Sequence, residues 1–384
     1  MPERFWLQRR RRCNARLLVL ALLIPAATAQ AASTLNFPRL AFETASFTGI
    51  AIANPSATDA AVTLTAYGED GKVLAGSGFV NPAQLTIKAN QQIAKLTSEI
   101  FGAALPPSTI GWMQATSPAD GLTGFFLFLD SSITFLDGAD LPASSQKISF
   151  QQVRAGSGFS SEIDIINPAS AIANVQAELV SAGAPRITKV FTIPAKGVKR
   201  FDAGTFFGVS EVSAGAYLLL QSDVEIGGTE FVKNSQGELL GLNARSVSEQ
   251  LDRLVFPQLA VLGDYSTELG VINYSSSPAI LTITAFRADG TLFDAPDLRT
   301  NPVTRTLDGG ASLREDVATM FGFSGSSTLT GWIEVKSTAA AINGYVTFGI
   351  PASGAAAAVA TAPKGRTRAL FSHIATAGYF TSTS

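Results

Sequence analysis

The amino-acid sequence predicts an all-β protein: three tandem antiparallel β-sandwich modules of about 100–110 residues, each with a short helical turn. Three observations carry this expectation. Landmark residues recur at matched spacings, apolar and polar residues alternate along short segments of each copy, and Gly, Pro, Asn and Ser separate those segments roughly every 8 to 12 residues.

The repeat comes first, because it sets the architecture. Four segments open on a Phe, at Phe37-Pro-Arg-Leu-Ala, Phe150-Gln-Gln-Val-Arg, Phe256-Pro-Gln-Leu-Ala and Phe371-Ser-His-Ile-Ala, spaced 113, 106 and 115 residues apart. Seventeen residues after the first three stand Asn54-Pro55, Asn167-Pro168 and Asn273-Tyr274, each closing a strand-like run. Phe101-Gly102, Phe207-Gly208 and Phe321-Gly322 align further on. Gly111-Trp112, Gly215-Ala216-Tyr217 and Gly331-Trp332 follow, and thirteen residues after each of these glycines comes another: Gly124, Gly228 or Gly344.

Within the copies, Val62, Leu64 and Ala66 alternate with Thr63, Thr65 and Tyr67, and Leu281, Ile283 and Ala285 alternate with Thr282, Thr284 and Phe286. Val175, Ala177 and Leu179 do the same in the second copy. A period of two places one face in a core and the other in water. Asp70-Gly71 and Asp289-Gly290 supply the positive-φ residues of tight turns. One helical turn is expected before each Phe-Gly, with Asp316 as N-cap and Gly102, Gly208 and Gly322 as stops.

These landmarks place a signal peptide at 1–31, sandwiches at 36–145, 148–248 and 252–352, an Ala-rich linker at 353–369 and the start of a truncated fourth copy at 370–384. Short polar connections at 142–146 and 246–251 predict limited flexibility between copies. Counted from Phe371, the Asn-Pro position falls beyond Ser384. The chain is therefore read as a piece of a longer protein, with a strand donated to another module as the alternative.

The leader follows from charge and hydropathy. Met1 to Arg16 holds six Arg against one Glu, an apolar run of eleven follows from Leu17 to Ala27, and Ala29-Gln30-Ala31 supplies small residues for cleavage. No apolar run reaches the roughly 20 residues of a transmembrane helix, so the mature chain is expected to be exported without a membrane span: secreted, at the cell surface or periplasmic. Losing six Arg and one Glu takes the whole-chain charge of −2 to −7, and Cys13 leaves as well. A mildly acidic surface without basic clusters argues against nucleic acid as a partner.

The inventory for chemistry is thin. With His373 as the one imidazole, no complete module holds a Ser-His-Asp triad, a Cys-His pair or a His-based metal site, so no metal, no cofactor and no enzyme activity are expected. Gly76-Ser-Gly78 and Gly156-Ser-Gly158 lack phosphate-loop spacing and read as turns. Glu315-Asp316, Asp202 and Glu99 are the only carboxylates arranged to suggest glycoside hydrolysis, and capping accounts for Asp202 and Asp316 with fewer assumptions.

Trp112, Tyr217 and Trp332 share one repeat position and are the candidate binding residues. Alternation puts them on the face of Gln114, Gln221 and Glu334, where a flat ring can stack on a sugar or anchor a partner. The competing expectation is that each ring covers a sandwich end or packs at the junction with the next module.

With the leader, the repeat near 110 residues and the landmarks at Phe37, Asn54, Asp70 and Gly111, the chain resembles the tandem immunoglobulin-like or fibronectin-III-like sandwich repeats of exported bacterial proteins. The resemblance implies adhesion, spacing or polymer binding outside the cell, with an extracellular or cell-surface protein or polysaccharide as partner. The expected function is a non-catalytic adhesion or spacer module. The alternatives are a carbohydrate-binding array and the non-catalytic N-terminal part of a larger secreted enzyme.

Overall fold

A computed structural model of the chain describes residues 33–41, 46–130, 136–235, 239–249 and 251–361. The residues read as a leader, with Cys13, and those read as the start of a fourth copy, with Phe371 and His373, lie outside these residues.

The first copy runs β1 (Ser33–Leu40), β2 (Ser46–Asn54), β3 (Ala60–Gly68), β4 (Ala83–Ile87), β5 (Gln91–Leu96), α1 (Thr97–Phe101), β6 (Gly111–Ser117), β7 (Thr123–Asp130) and β8 (Leu136–Asp140). Its strands form two four-stranded antiparallel sheets, β1-β6-β3-β4 and β5-β2-β7-β8. Val62, Leu64 and Ala66 are fully buried between them, while Thr63, Thr65 and Tyr67 face outward. The first strand pairs with the sixth, so the strand order is not the ABED/CFG order of an immunoglobulin domain.

The second copy comprises β9 (Ser145–Phe150), β10 (Ala155–Gly156), β11 (Phe159–Ile166), β12 (Ala173–Val180), β13 (Ile187–Ile193), β14 (Val198–Asp202), α2 (Ala203–Phe207), β15 (Tyr217–Asn234), β16 (Leu239–Asn243) and β17 (Arg245–Ser246). Here the sixth and seventh strands are one continuous strand of 18 residues, β15, which pairs with β9 and β12 at its start and with β11 and β16 at its end. The third copy returns to two sheets: β18 (Arg253–Val261), β23 (Leu329–Ser337), β20 (Ala279–Arg287) and β21 (Val303–Leu307) in one, β22 (Ser312–Asp316), β19 (Ser266–Asn273), β24 (Ile342–Ile350) and β25 (Ala355–Ala360) in the other. α3 (Val317–Phe321) follows β22.

β25 corrects the sequence reading of 353–369 as a linker. Residues 355–360 pair with β24 as the last strand of the third sandwich. Alanine has low strand propensity, so its composition reads as a spacer, yet any backbone with a free neighbouring edge can complete a ladder.

The repeated landmarks prove to be contacts. Phe37, Phe150 and Phe256 are fully buried, and the ring tip of each lies over the backbone of Gly124, Gly228 or Gly344, on the opposite sheet in the first and third copies and on the far half of β15 in the second. A Cβ at Gly344 would meet the Gly270 carbonyl at 2.3 Å and the Phe256 ring at 3.0 Å. Asn54, Asn167 and Asn273 are buried clamps. Asn273 donates from Nδ2 to the carbonyls of Ser277, Leu307 and Asp308 and accepts from Ser275 N–H, and the other two repeat the pattern. Asp202 and Asp316 cap α2 and α3 by accepting from Thr205 and Thr319 N–H, each at 2.8 Å. Gly102, Gly208 and Gly322 end the three turns in the left-handed region.

Candidate functional site

The turns β4–β5, β13–β14 and β21–β22 each carry a positive-φ residue three positions past the end of the first strand: Asn90, Lys196 and Gly310, with φ of 56°, 59° and 72°. At two of these the exposed carbonyl is met by the preceding copy. Trp112 Nε1 donates to the Lys196 carbonyl at 2.7 Å, and Tyr217 Oη donates to the Gly310 carbonyl at 2.8 Å. Trp112 is 0% and Tyr217 2% exposed, so neither ring lies on a wet sheet face. Trp112 stacks on Tyr67 and packs with Ile166 and Val198 of the second copy, and Tyr217 meets Tyr274 of the third edge to face.

Trp332, at the same repeat position, differs. It is half-buried, stacks on Phe286 at 4.1 Å with the rings nearly parallel, and its indole N–H has no acceptor among the described residues. Gln114, expected beside Trp112 on a polar face, is buried against Asn36 and Lys196. Glu334 bridges Arg253 and Lys336. Glu315 is held by Arg305 at 2.8 Å, while Asp316 caps α3, so this acidic pair is occupied by structural bonds.

Polar contacts that sequence reasoning missed lie deeper in the two junctions. Arg39 of the first copy reaches the outer face of the second copy's β11, pairing with Glu162 and donating to Asp164 at 3.1 Å. Arg200 holds the other Asp164 oxygen at 2.5 Å, and Lys233 holds Glu162 at 3.3 Å. The Arg39 guanidinium lies 4.4 Å over Phe128 and 4.7 Å over Phe231, a ring of the second copy that belongs to the first copy's core cluster. Burial raises the Glu162 carboxyl, but the positive charges of Arg39, Lys233 and Arg200 outweigh it and hold the group at about 2.

The second junction uses the same surfaces with different side chains. Gln152, at the position of Arg39, donates to Thr347, at the position of Phe231. Val232, Leu240 and Leu242 pack on Tyr345 of the third copy, and Arg314 pairs with Glu268. Glu230 is wholly buried beside Ser161, which donates to it, and burial pushes its carboxyl up to about 7. A cavity of about 300 Å³ lies here, lined by Gln152, Arg154, Phe159, Glu268 and Thr347 among others. Arg154 covers the Phe159 ring at 3.5 Å.

These arrangements fasten one copy to the next. Among the described residues no helix is long and apolar enough to cross a membrane. No protein-family model, no curated protein and no solved structure matches the chain.

Proposed function

We propose that this chain is a non-catalytic exported repeat protein that acts as an adhesion or spacer element at the cell surface or outside the cell. The observation that carries this reading is the pair of junctions. Each buries an aromatic donor on the next copy's turn and adds polar contacts behind it. A spacer needs joints that resist bending, and hydrogen-bonded buried contacts supply that better than a flexible linker. The leader read at 1–31 supplies the route out of the cell.

The reading is tested by locating the chain in its producing cell with an antibody and a protease added outside, and by comparing attachment of cells with and without the gene. Export, outside access and lost attachment on deletion are expected. Retention inside the cell, or turnover of a polysaccharide by the purified chain, would overturn the proposal.

One observation favours a carbohydrate-binding reading at a single position: Trp332 presents a half-exposed ring, whereas Trp112 and Tyr217 are closed off. Retention on a polysaccharide column that is lost in Trp332→Ala at unchanged melting temperature would favour it.

A further inference from the structure

The cavity of about 300 Å³ at the second junction has walls from two modules. Arg154, Phe159, Val232 and Leu240 come from the second, while Glu268 and Thr347 lie on the outer face of the third module's β19-β24 sheet. A further copy joined as these three are would meet the third module at Trp332 and Gln258, so the cavity belongs to this internal junction. Arg154 stands where the first and third copies have Ala41 and Ala260, so the module fold does not require it. Its side chain is half-buried and covers the Phe159 ring at 3.5 Å, with no hydrogen-bond or ion-pair partner among the described residues. Stacking uses the flat face of a guanidinium and leaves its in-plane N–H donors free. Burial pushes the Arg154 pKa down, and the positive charge of Arg314 adds to that effect. Glu268 offsets this only in part, because Arg314 holds its carboxylate.

We propose that this cavity binds a small organic monocarboxylate, its carboxylate paired with the in-plane donors of Arg154 and its apolar body held against Val232 and Leu240. A guanidinium and a carboxylate match through two parallel hydrogen bonds. Among the described residues, Arg154 and Glu268 are the only ionisable groups in the lining, and the count of charges selects the valence. One unpaired guanidinium neutralises a monoanion, whereas Glu268 in the facing wall repels a dianion such as phosphate. A dry apolar cavity of about 150 Å³ takes benzene. A volume of about 300 Å³ therefore accommodates a ring or a short chain together with its carboxylate. Because the walls belong to two modules, a bound acid ties the second module to the third and stabilises that joint. The site goes beyond the adhesion and spacer reading and does not depend on it.

The test is calorimetric titration of the purified full chain at pH 7 with benzoate and with hexanoate, against acetate, benzyl alcohol and inorganic phosphate. Benzoate or hexanoate is expected to bind once per chain with a Kd of about 1 mM or tighter, at least about tenfold tighter than each of the three controls. The melting temperature is expected to rise in saturating benzoate. Arg154→Gln is expected to weaken benzoate binding about tenfold to hundredfold. Since that change removes an unpaired charge, the ligand-free variant is expected to melt no lower than the parent, which a purely structural arginine would not allow. Arg154→Lys keeps the charge without the two-pronged geometry and is expected to fall between. Ala356→Phe, at an exposed position of the cavity wall, fills the space with Arg154 intact and is expected to abolish binding at unchanged melting temperature. It decides alone if Arg154→Gln fails to fold. Absence of binding of both acids at about 10 mM overturns the proposal. So does benzyl alcohol or phosphate binding as tightly as benzoate, or benzoate affinity untouched by Arg154→Gln or by Ala356→Phe.

Discussion

Replacing Arg39 with Met probes the first junction most directly. Met retains an apolar stem of similar length, so the change removes charge and donors while leaving little cavity. Asp164 is 0% exposed and has two cationic partners, Arg39 at 3.1 Å and Arg200 at 2.5 Å. Removing one partner of a buried pair costs about 3–5 kcal/mol, because the remaining charge stays desolvated. Arg200 continues to hold one Asp164 oxygen, which puts the cost at the lower end, about 3 kcal/mol, with the lost contact over Phe128 and Phe231 contained in that figure rather than added to it. Urea unfolding at pH 7 followed by circular dichroism measures it. The Arg39→Met, Arg200→Met, Glu162→Gln, Asp164→Asn quadruple variant removes every buried charge of the cluster and leaves only Lys233, which reaches solvent, so it is expected to recover to within about 1 kcal/mol of the parent. A single-variant loss below about 1 kcal/mol, or a quadruple variant less stable than the single one, would refute the assignment of this cluster as the lock of the first junction.

Other expectations follow from the same contacts. Gly344→Ala drives a methyl into the Gly270 carbonyl at 2.3 Å and the Phe256 ring, and is expected to destabilise by about 1–3 kcal/mol or more, read from the melting temperature. Asn273→Ala strips a buried donor from three backbone carbonyls, for a loss of about 2–3 kcal/mol by urea unfolding. Glu230 binds its proton more tightly folded, at about 7, than at the ordinary 4.5, so stability from this group is full below pH 4.5 and falls as pH rises to 7. That difference is worth at most about 3 kcal/mol. Glu230→Gln is expected to remove this slope and to be more stable than the parent at pH 8. Glu162 acts in the opposite sense: held at about 2, it contributes above pH 4.5 and its contribution is lost as pH falls through 2, a limb that Glu162→Gln abolishes.

Much of the module was legible because its determinants are local. Alternation in 60–66 and 279–285 identifies strands whose inner residues are buried without exception. Asp316 and Gly322 mark the helical turn because capping acts over three or four residues. The landmark Phe, Asn and Gly signalled duplication, although their spacing could not say that Phe256 lies on Gly344 or that Asn273 ties three carbonyls. Ala355–Ala360 was misread because its strand character comes from the edge of β24, outside its own composition.

The aromatic position shows where local reasoning stops. Alternation assigns Trp112, Tyr217 and Trp332 to one face, but whether that face is wet depends on what stacks against it. Trp112 meets Lys196, 84 residues on, Tyr217 meets Gly310, 93 residues on, and Arg39 meets Asp164 at a separation of 125. The sequence by itself determined the all-β class, the three copies, their turns and their cores, because strand period and turn stereochemistry are short-range properties. Only the tertiary structure decided the strand order, the ion cluster, the full burial of two aromatics and the partial burial of the third. Those depend on which sheet faces meet, and packing between surfaces distant in sequence leaves no periodic trace in it.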